Sequence, residues 1–182
     1  MCEKSYETAQ ICENGHVITI RYNSEKHEQE HFCSKCGAKT FTECKYCHEP
    51  IKGSLVIKSR SLNLISGYYD DYASPYEIET KHYDEYFKMP YYCYNCGKPY
   101  PWTEALLTET SELIDLMSEL TTEQKNELKK YIPNIIVEKS STKSSAIKIS
   151  KLLKPVEKSL VDALMSTLSG KVVESALSFL PW

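Results

Sequence analysis

The sequence has little of what would place a protein in a membrane, outside the cell or on a polyanion. Nothing in its 182 residues approaches the run of roughly 18 apolar residues that a spanning helix needs. The start, Met1-Cys2-Glu3-Lys4-Ser5, lacks a cationic segment followed by an apolar one, so no secretory signal is expected. Positive charge is also short, with 22 Lys and Arg against 25 Asp and Glu, a formal net charge of -3. Residues 1–100 carry 12 basic and 14 acidic side chains and residues 101–182 carry 10 and 11. Nucleic-acid binding would therefore need a local patch, because neither half supplies a general field for phosphates. Catalytic motifs are missing too. His16, His48, His82, Asp70, Asp71 and Asp84 are polar candidates, but no nucleophile motif, phosphate loop or metalloprotease spacing organises them, and no enzyme is expected.

Cysteine is what the chain does have. Cys33/Cys36, Cys44/Cys47 and Cys93/Cys96 each have the C-x-x-C spacing at which two sulfurs reach one tetrahedral zinc, and two such pairs close a structural site. Gly37 and Gly97 follow the first and third pairs, where a positive φ lets backbone amides turn toward the thiolates. Without an export signal, this pattern predicts reduced thiolates on metal in the cytoplasm instead of disulfides. Cys44/Cys47 is the natural partner of Cys93/Cys96, both being complete pairs. Cys33/Cys36 is left to join something upstream, and Cys12 with His16 is best placed, with Cys2, His27 or His31 as alternatives to the histidine. His27 and His31 sit in a charged run that reads as a solvated loop, and Cys2 at the N-terminus is a poor anchor. Two structural zinc ions are expected, on Cys12, His16, Cys33 and Cys36 and on Cys44, Cys47, Cys93 and Cys96. His48 adjoins a knuckle whose metal four sulfurs already satisfy, and is expected on the surface.

Around these sites Val17–Tyr22 reads as a short strand, Thr40 and Phe41 lead toward Cys44, and Leu55–Ile57 resumes a strand. The insertion 58–92 holds Tyr68, Tyr69, Tyr72, Tyr76, Tyr83, Tyr86, Tyr91 and Tyr92 of the 14 tyrosines, with too many turn formers over residues 67–76 for a regular element. Its rings can cover a small ribbon core or meet a partner, while its carboxylates would repel phosphates. Pro99 and Pro101, with Tyr100 and Trp102 between and after them, read as a stiff junction.

Beyond it the chain reads as helical. Leu106, Leu113, Leu116, Met117 and Leu120 share a face over 105–120, and Thr121 with Gln124 forms a capping box before a helix that Pro133 stops. Asn134–Val137 could be extended, and the Ser/Thr-rich run within 138–145 reads as a linker. Helices are expected from Ala146 to Leu153, from Pro155 or shortly after to Leu168, and from Lys171 to Leu180, with Ser169-Gly170 as a break. The tail is apolar on more than one side and flanked by Lys139, Lys143, Lys148, Lys151, Lys154 and Lys158. Its spare face would meet its own core, another subunit, a protein partner or, over 146–182, a membrane surface.

The segments Gly15–Ile18, Phe32–Thr40, Cys44–Cys47 with Ile51–Gly53, and Cys93–Glu104 resemble a family of uncharacterised bacterial proteins with paired zinc ribbons at the N-terminus. The resemblance covers residues 10–104 well and the remainder loosely, and it implies fold and metal more than activity. The expected architecture is α+β: an interleaved double zinc ribbon of short antiparallel hairpins over 1–104, followed by an all-helical region over 105–182. The expected role is a cytoplasmic zinc-ribbon adaptor or regulator that binds a protein partner or itself. Nucleic-acid binding through Lys35, Lys39, Lys45, Lys52, Lys58 and Arg60, or membrane-surface contact through the helices, are the alternatives.

Overall fold

A computed structural model describes residues 2–25, 29–62 and 76–181. His27 and most of the tyrosine-rich interior, with Tyr68, Tyr69, Tyr72, Asp70 and Asp71, lie outside the described residues. The chain divides into two units, one ending at Pro101 and the other starting at Trp102.

The first unit is built from small antiparallel sheets. β1 (Cys2–Thr8), β5 (Lys52–Leu62) and β6 (Tyr76–Tyr83) form one, with β5 in the middle, and β3 (Val17–Thr19), β2 (Gln10–Cys12) and β4 (Thr40–Phe41) form the other, with β2 in the middle. β5 and β6 pair without interruption from Leu55↔Tyr83 to Leu62↔Tyr76, so the insertion carries a long hairpin. β1 was not anticipated. Its residues 3–6 are exposed on both faces, so no hydrophobic alternation marks it, and its pairing with β5 is a matter of backbone bonds.

Backbone bonds stitch the two sheets, with Tyr22 N donating to Thr8 O and Ile51 N to Thr42 O, each at 2.9 Å, on either side of a central pair. Ala9 N donates to Ile51 O at 2.8 Å, and Ser54 N donates to Ile20 O at 2.8 Å. The two cysteine clusters described below are consecutive along the chain. What interleaves them is backbone: β1, which precedes the first cluster, lies on β5, which lies between the two halves of the second.

The second unit is all helix: α1 (Pro101–Asp115), α2 (Thr122–Tyr131), α3 (Thr142–Leu153), α4 (Lys158–Leu168) and the single turn α5 (Glu174–Leu177). α1 opens at Pro101, whose missing N–H costs nothing at a first helical position. The capping box at Thr121 and Gln124 is present in both directions. Ile114, Met117, Leu128, Ile132, Ile135, Ile136, Ile149, Leu164 and Leu168 form the core.

Several helical expectations are corrected. Leu116 is 66% exposed, because α1 ends at Asp115 and its buried face runs through Leu106, Thr110 and Ile114 at steps of four. Residues 134–137 are not extended: a 3-10 turn over Ile132–Asn134 leads to buried Ile135 and Ile136. Of the linker expected over 138–145, residues 138–141 form a connection that ends in a turn, and α3 begins at Thr142. Buried Thr142 donates from Oγ1 to Asn134 O at 2.8 Å and accepts from Lys139 N at 2.8 Å, closing the turn that precedes the helix. The last helix is shorter than Lys171–Leu180, since Gly170 reverses the chain at φ 70° and the Val173 amide is engaged by Ile135 O at 2.9 Å.

Candidate metal centres

Three segments of the first unit fold into the same small knuckle. In each, the amide of the first cysteine donates to the carbonyl five residues on: Cys33 N to Ala38 O at 2.8 Å, Cys44 N to Glu49 O at 2.9 Å and Cys93 N to Lys98 O at 2.8 Å. In each, the residue after the second cysteine donates back to the first: Gly37 N to Cys33 O at 2.7 Å, His48 N to Cys44 O at 2.9 Å and Gly97 N to Cys93 O at 2.9 Å. That residue must take a positive φ, which is 71° at Gly37, 57° at His48 and 69° at Gly97. His48 thus holds a glycine's conformation, a point visible in the sequence once the three knuckles are laid over one another. The fourth segment is a turn with Gly15 at φ 81°, in which Cys12 N donates to His16 O at 3.0 Å.

The sheets bring these four segments together in pairs. Cys12, His16, Cys33 and Cys36 form one cluster and Cys44, Cys47, Cys93 and Cys96 the other, and within each cluster the ligand atoms lie within 4.8 Å of one another. Cys12 Sγ and Cys36 Sγ are 3.8 Å apart, Cys44 Sγ and Cys96 Sγ 3.7 Å, and Cys47 Sγ and Cys93 Sγ 3.6 Å. A disulfide requires about 2.05 Å, whereas two sulfurs on one tetrahedral zinc, each about 2.3 Å from the metal, stand roughly 3.8 Å apart. His16 Nδ1 lies 3.5 Å from Cys12 Sγ, 3.3 Å from Cys36 Sγ and 3.7 Å from Cys33 Sγ. The corresponding nitrogen–sulfur edge of a zinc tetrahedron is about 3.6 Å. The four-residue step from Cys12 to His16 therefore works because Nδ1, the nearer ring nitrogen, faces the cluster.

The donor set and its charges fit a dication. The Cys36 thiol is lowered to about 6 by the Ala38 amide first and by Asn14 next, whose Nδ2 donates to Sγ at 3.4 Å. Burial pushes the Cys12 thiol up. In the second cluster burial raises Cys93, but the amides of Cys96 and Asn95 outweigh it and bring the thiol to about 6. Cys96 goes the other way, to about 12: the Lys98 amide pulls it down, and burial and the neighbouring sulfurs push it further up. Four thiolates this close cannot all ionise without a cation between them. A divalent cation such as zinc would supply that charge, and with four protein donors each arrangement would be closed. Tyr100, buried beside the second cluster, keeps its hydroxyl protonated through burial and then the Cys93 charge.

The remaining candidates lie elsewhere. His31 is exposed beside a recess lined by Gln10, Tyr22 and Phe32, and is in neither cluster. The Cys2 backbone sits on β1 opposite Ser59. His48 Nδ1 is 2.8 Å from Glu43 Oε1 at the surface, and Asp84 accepts from Arg21 Nε at 3.1 Å. Of the basic residues, Lys39 lies over the Phe41 ring, Lys45 over Tyr46, and Lys52 over both Tyr94, 3.9 Å from its centroid, and Tyr6 at 4.9 Å. Gln10 was missed as a supporting residue. It is buried, its Nε2 donates to Glu30 O at 2.6 Å and to Thr40 Oγ1 at 3.0 Å, and its Oε1 accepts from Glu30 N at 3.1 Å, tying β2 to the approach to Cys33.

A bacterial family described as "Uncharacterized protein conserved in bacteria (DUF2321)" matches residues 5–76 and 72–178. No curated protein and no solved structure matches the chain. Among the described residues, no helix is long and apolar enough to cross a membrane.

Proposed function

We propose that this chain, which belongs to the bacterial family DUF2321, is a zinc-stapled adaptor of a reducing, cytoplasmic compartment. It acts through protein contacts and self-association and carries no catalysis of its own. The observation that carries the reading is that each centre has four protein donors. A metal so enclosed has no open position for water or substrate, and it holds loops in place instead of polarising a bond. What the centres hold in place is a surface of exposed tyrosines on short strands and knuckles. Tyr6, Tyr46 and Tyr94 are each about half exposed, and the Lys52 ammonium lies between the rings of Tyr6 and Tyr94. Rings of this kind, rigid and with one polar end, are favoured anchors in protein interfaces.

The test is metal analysis with X-ray absorption on the full chain. The reading expects two zinc ions per chain, with an average shell of sulfur and about one nitrogen in eight donors. A value near one zinc would remove the Cys12/His16 centre, and an oxygen ligand would reopen the catalytic alternative. Affinity purification from the native cell, comparing the wild type with a Tyr6→Ala/Tyr94→Ala variant, tests the adaptor half. A partner retained equally by both would exclude this surface.

A further inference from the structure

The turn after α1 leaves Leu116 exposed, with Glu112, Asp115 and Glu119 flanking it in sequence and exposed as well. Asp115 is paired with Lys129, whose Nζ donates to its carboxylate at 2.6 and 2.7 Å, which leaves Glu112 as the acid offered to a partner. Glu119 Oε1 accepts from Glu157 N at 2.8 Å, which fixes this turn beside the connection between α3 and α4. Next to that connection is a recess of about 430 Å³ with Leu153, Val156, Val161 and Pro181 in its lining and Lys154 and Lys158 at its rim, together with the single carboxylate of Asp162. An apolar knob that follows Glu112 by one turn therefore lies close to an apolar socket rimmed by lysines on one helical unit. The wider charge distribution has the same sense. Residues 104–127 hold seven acids and one lysine, and residues 139–158 hold six lysines and one glutamate.

We propose that the chain pairs with a second copy of itself about a two-fold axis, with Leu116 of each copy seated in the Leu153/Val156/Val161 recess of the other and Lys154 and Lys158 meeting the partner copy's Glu112. A patch that carries both halves of a complementary contact is satisfied twice by a two-fold axis, and the assembly closes as a dimer. Charge complementarity sets the register and the leucine supplies the buried area. Two other occupants fit less well. The apolar face of α3, with Ala146, Ile149 and Leu153, is already in the core, which leaves that helix only Ile147 as an exposed large apolar residue to lay into a bilayer. The helical unit contains no arginine, so the bidentate forks that grip phosphates are missing from the lysine rim. This dimer deepens the self-association in the proposed function and does not depend on the zinc centres.

Sedimentation of the full, zinc-loaded chain tests it, with zinc content and far-ultraviolet circular dichroism recorded on every sample. The wild type should dimerise more tightly at about 0.05 M than at about 0.5 M salt. Leu116→Asp, at an exposed position that folding does not need, should weaken dimerisation at least about tenfold, because a leucine is lost from each side. Lys154→Glu/Lys158→Glu and Glu112→Lys should each impair self-association, and an equimolar mixture of the two should restore it, since every acid in the mixed dimer again faces a lysine. A wild type that stays monomeric overturns the proposal, as do dimers indifferent to Leu116→Asp and to both charge variants. A monomer whose lysine variant loses only binding to duplex DNA or anionic vesicles also overturns it, and assigns the rim to phosphates. Dimerisation with fewer than two zinc ions supports the dimer and removes the metal reading.

Discussion

Gly53 tests how the two centres are joined. Its φ is not in the left-handed region, so glycine is there for room and not for conformation. A β-carbon at this position would collide with the carbonyl oxygen of Ile20, and would lie 2.9 Å from the Ile20 carbonyl carbon and 3.0 Å from Ala9 N. All of these are buried backbone with no flexible end to swing away. Restoring ordinary contact requires the start of β5 to withdraw by roughly 1 Å. That stretches both bonds of the stitch, Ser54 N to Ile20 O and Ala9 N to Ile51 O, from 2.8 Å toward the limit of a hydrogen bond. Each buried pair left unmade costs about 1–3 kcal/mol, and the lower chain entropy of alanine in the unfolded state returns about 0.4–1 kcal/mol. Gly53→Ala should therefore destabilise the first unit by about 1–5 kcal/mol. The assay is native-state amide exchange at Ser54 and Val56 with excess zinc. Protection should fall by about 5- to 4,000-fold, following the rule of about 1.4 kcal/mol per factor of ten. Zinc content should stay at the wild-type value, since no donor is touched. Protection within about threefold of wild type would refute the steric argument and, with it, the claim that this contact holds the two sheets together.

Chelating the metal should unfold the first unit and spare the second, which contains no cysteine; loss of tyrosine near-ultraviolet dichroism with most helical ellipticity retained is the expected record. Gly97→Val places a β-branched residue at φ 69° with nothing nearby to clash, so conformational strain of about 1–3 kcal/mol falls on the second centre alone. Chromophoric chelator competition should show one of the two zinc ions weakened by about tenfold or more. Thr142→Ala leaves Lys139 N and Asn134 O without the hydroxyl that links them, which should cost about 2 kcal/mol in urea unfolding of the helical unit.

What the sequence made legible is what short-range chemistry determines. A C-x-x-C pair reads as one feature because two sulfurs on neighbouring turns must reach one ion, and the capping box reads because donor and acceptor are three residues apart. Elements stabilised by distant backbone were illegible. β1 alternates nothing apolar and exists because β5 offers it a ladder. Gly53 reads as an ordinary turn glycine until Ile20 is brought over it. The serine- and threonine-rich start of α3 has the composition of a loop, and a tertiary bond from Thr142 to Asn134 overrides it. The face of α1 was misread by including Leu116, which lies past the helix end and outside the core.

The two centres are chemically unequal, and this orders how they should release metal. Three thiolates and a neutral imidazole leave a zinc complex with one negative charge, and four thiolates leave two. The extra thiolate binds the dication more strongly. Each cluster has one exposed cysteine, Cys36 in the first and Cys96 in the second, with the others buried or partly so. Chelators and oxidants therefore meet both centres at one edge. At that edge Cys36 is the sulfur held as thiolate by the Ala38 amide and Asn14, and it shares the first centre with His16, whose Nδ1 is 3.3 Å from its Sγ. The first centre, with one thiolate fewer on the metal, should thus lose zinc before the second as chelator concentration rises, with release in two separate steps of one ion each. Simultaneous release would mean that the stitch at Gly53 couples the centres into a single folding unit, and the Gly53→Ala variant should then separate the steps.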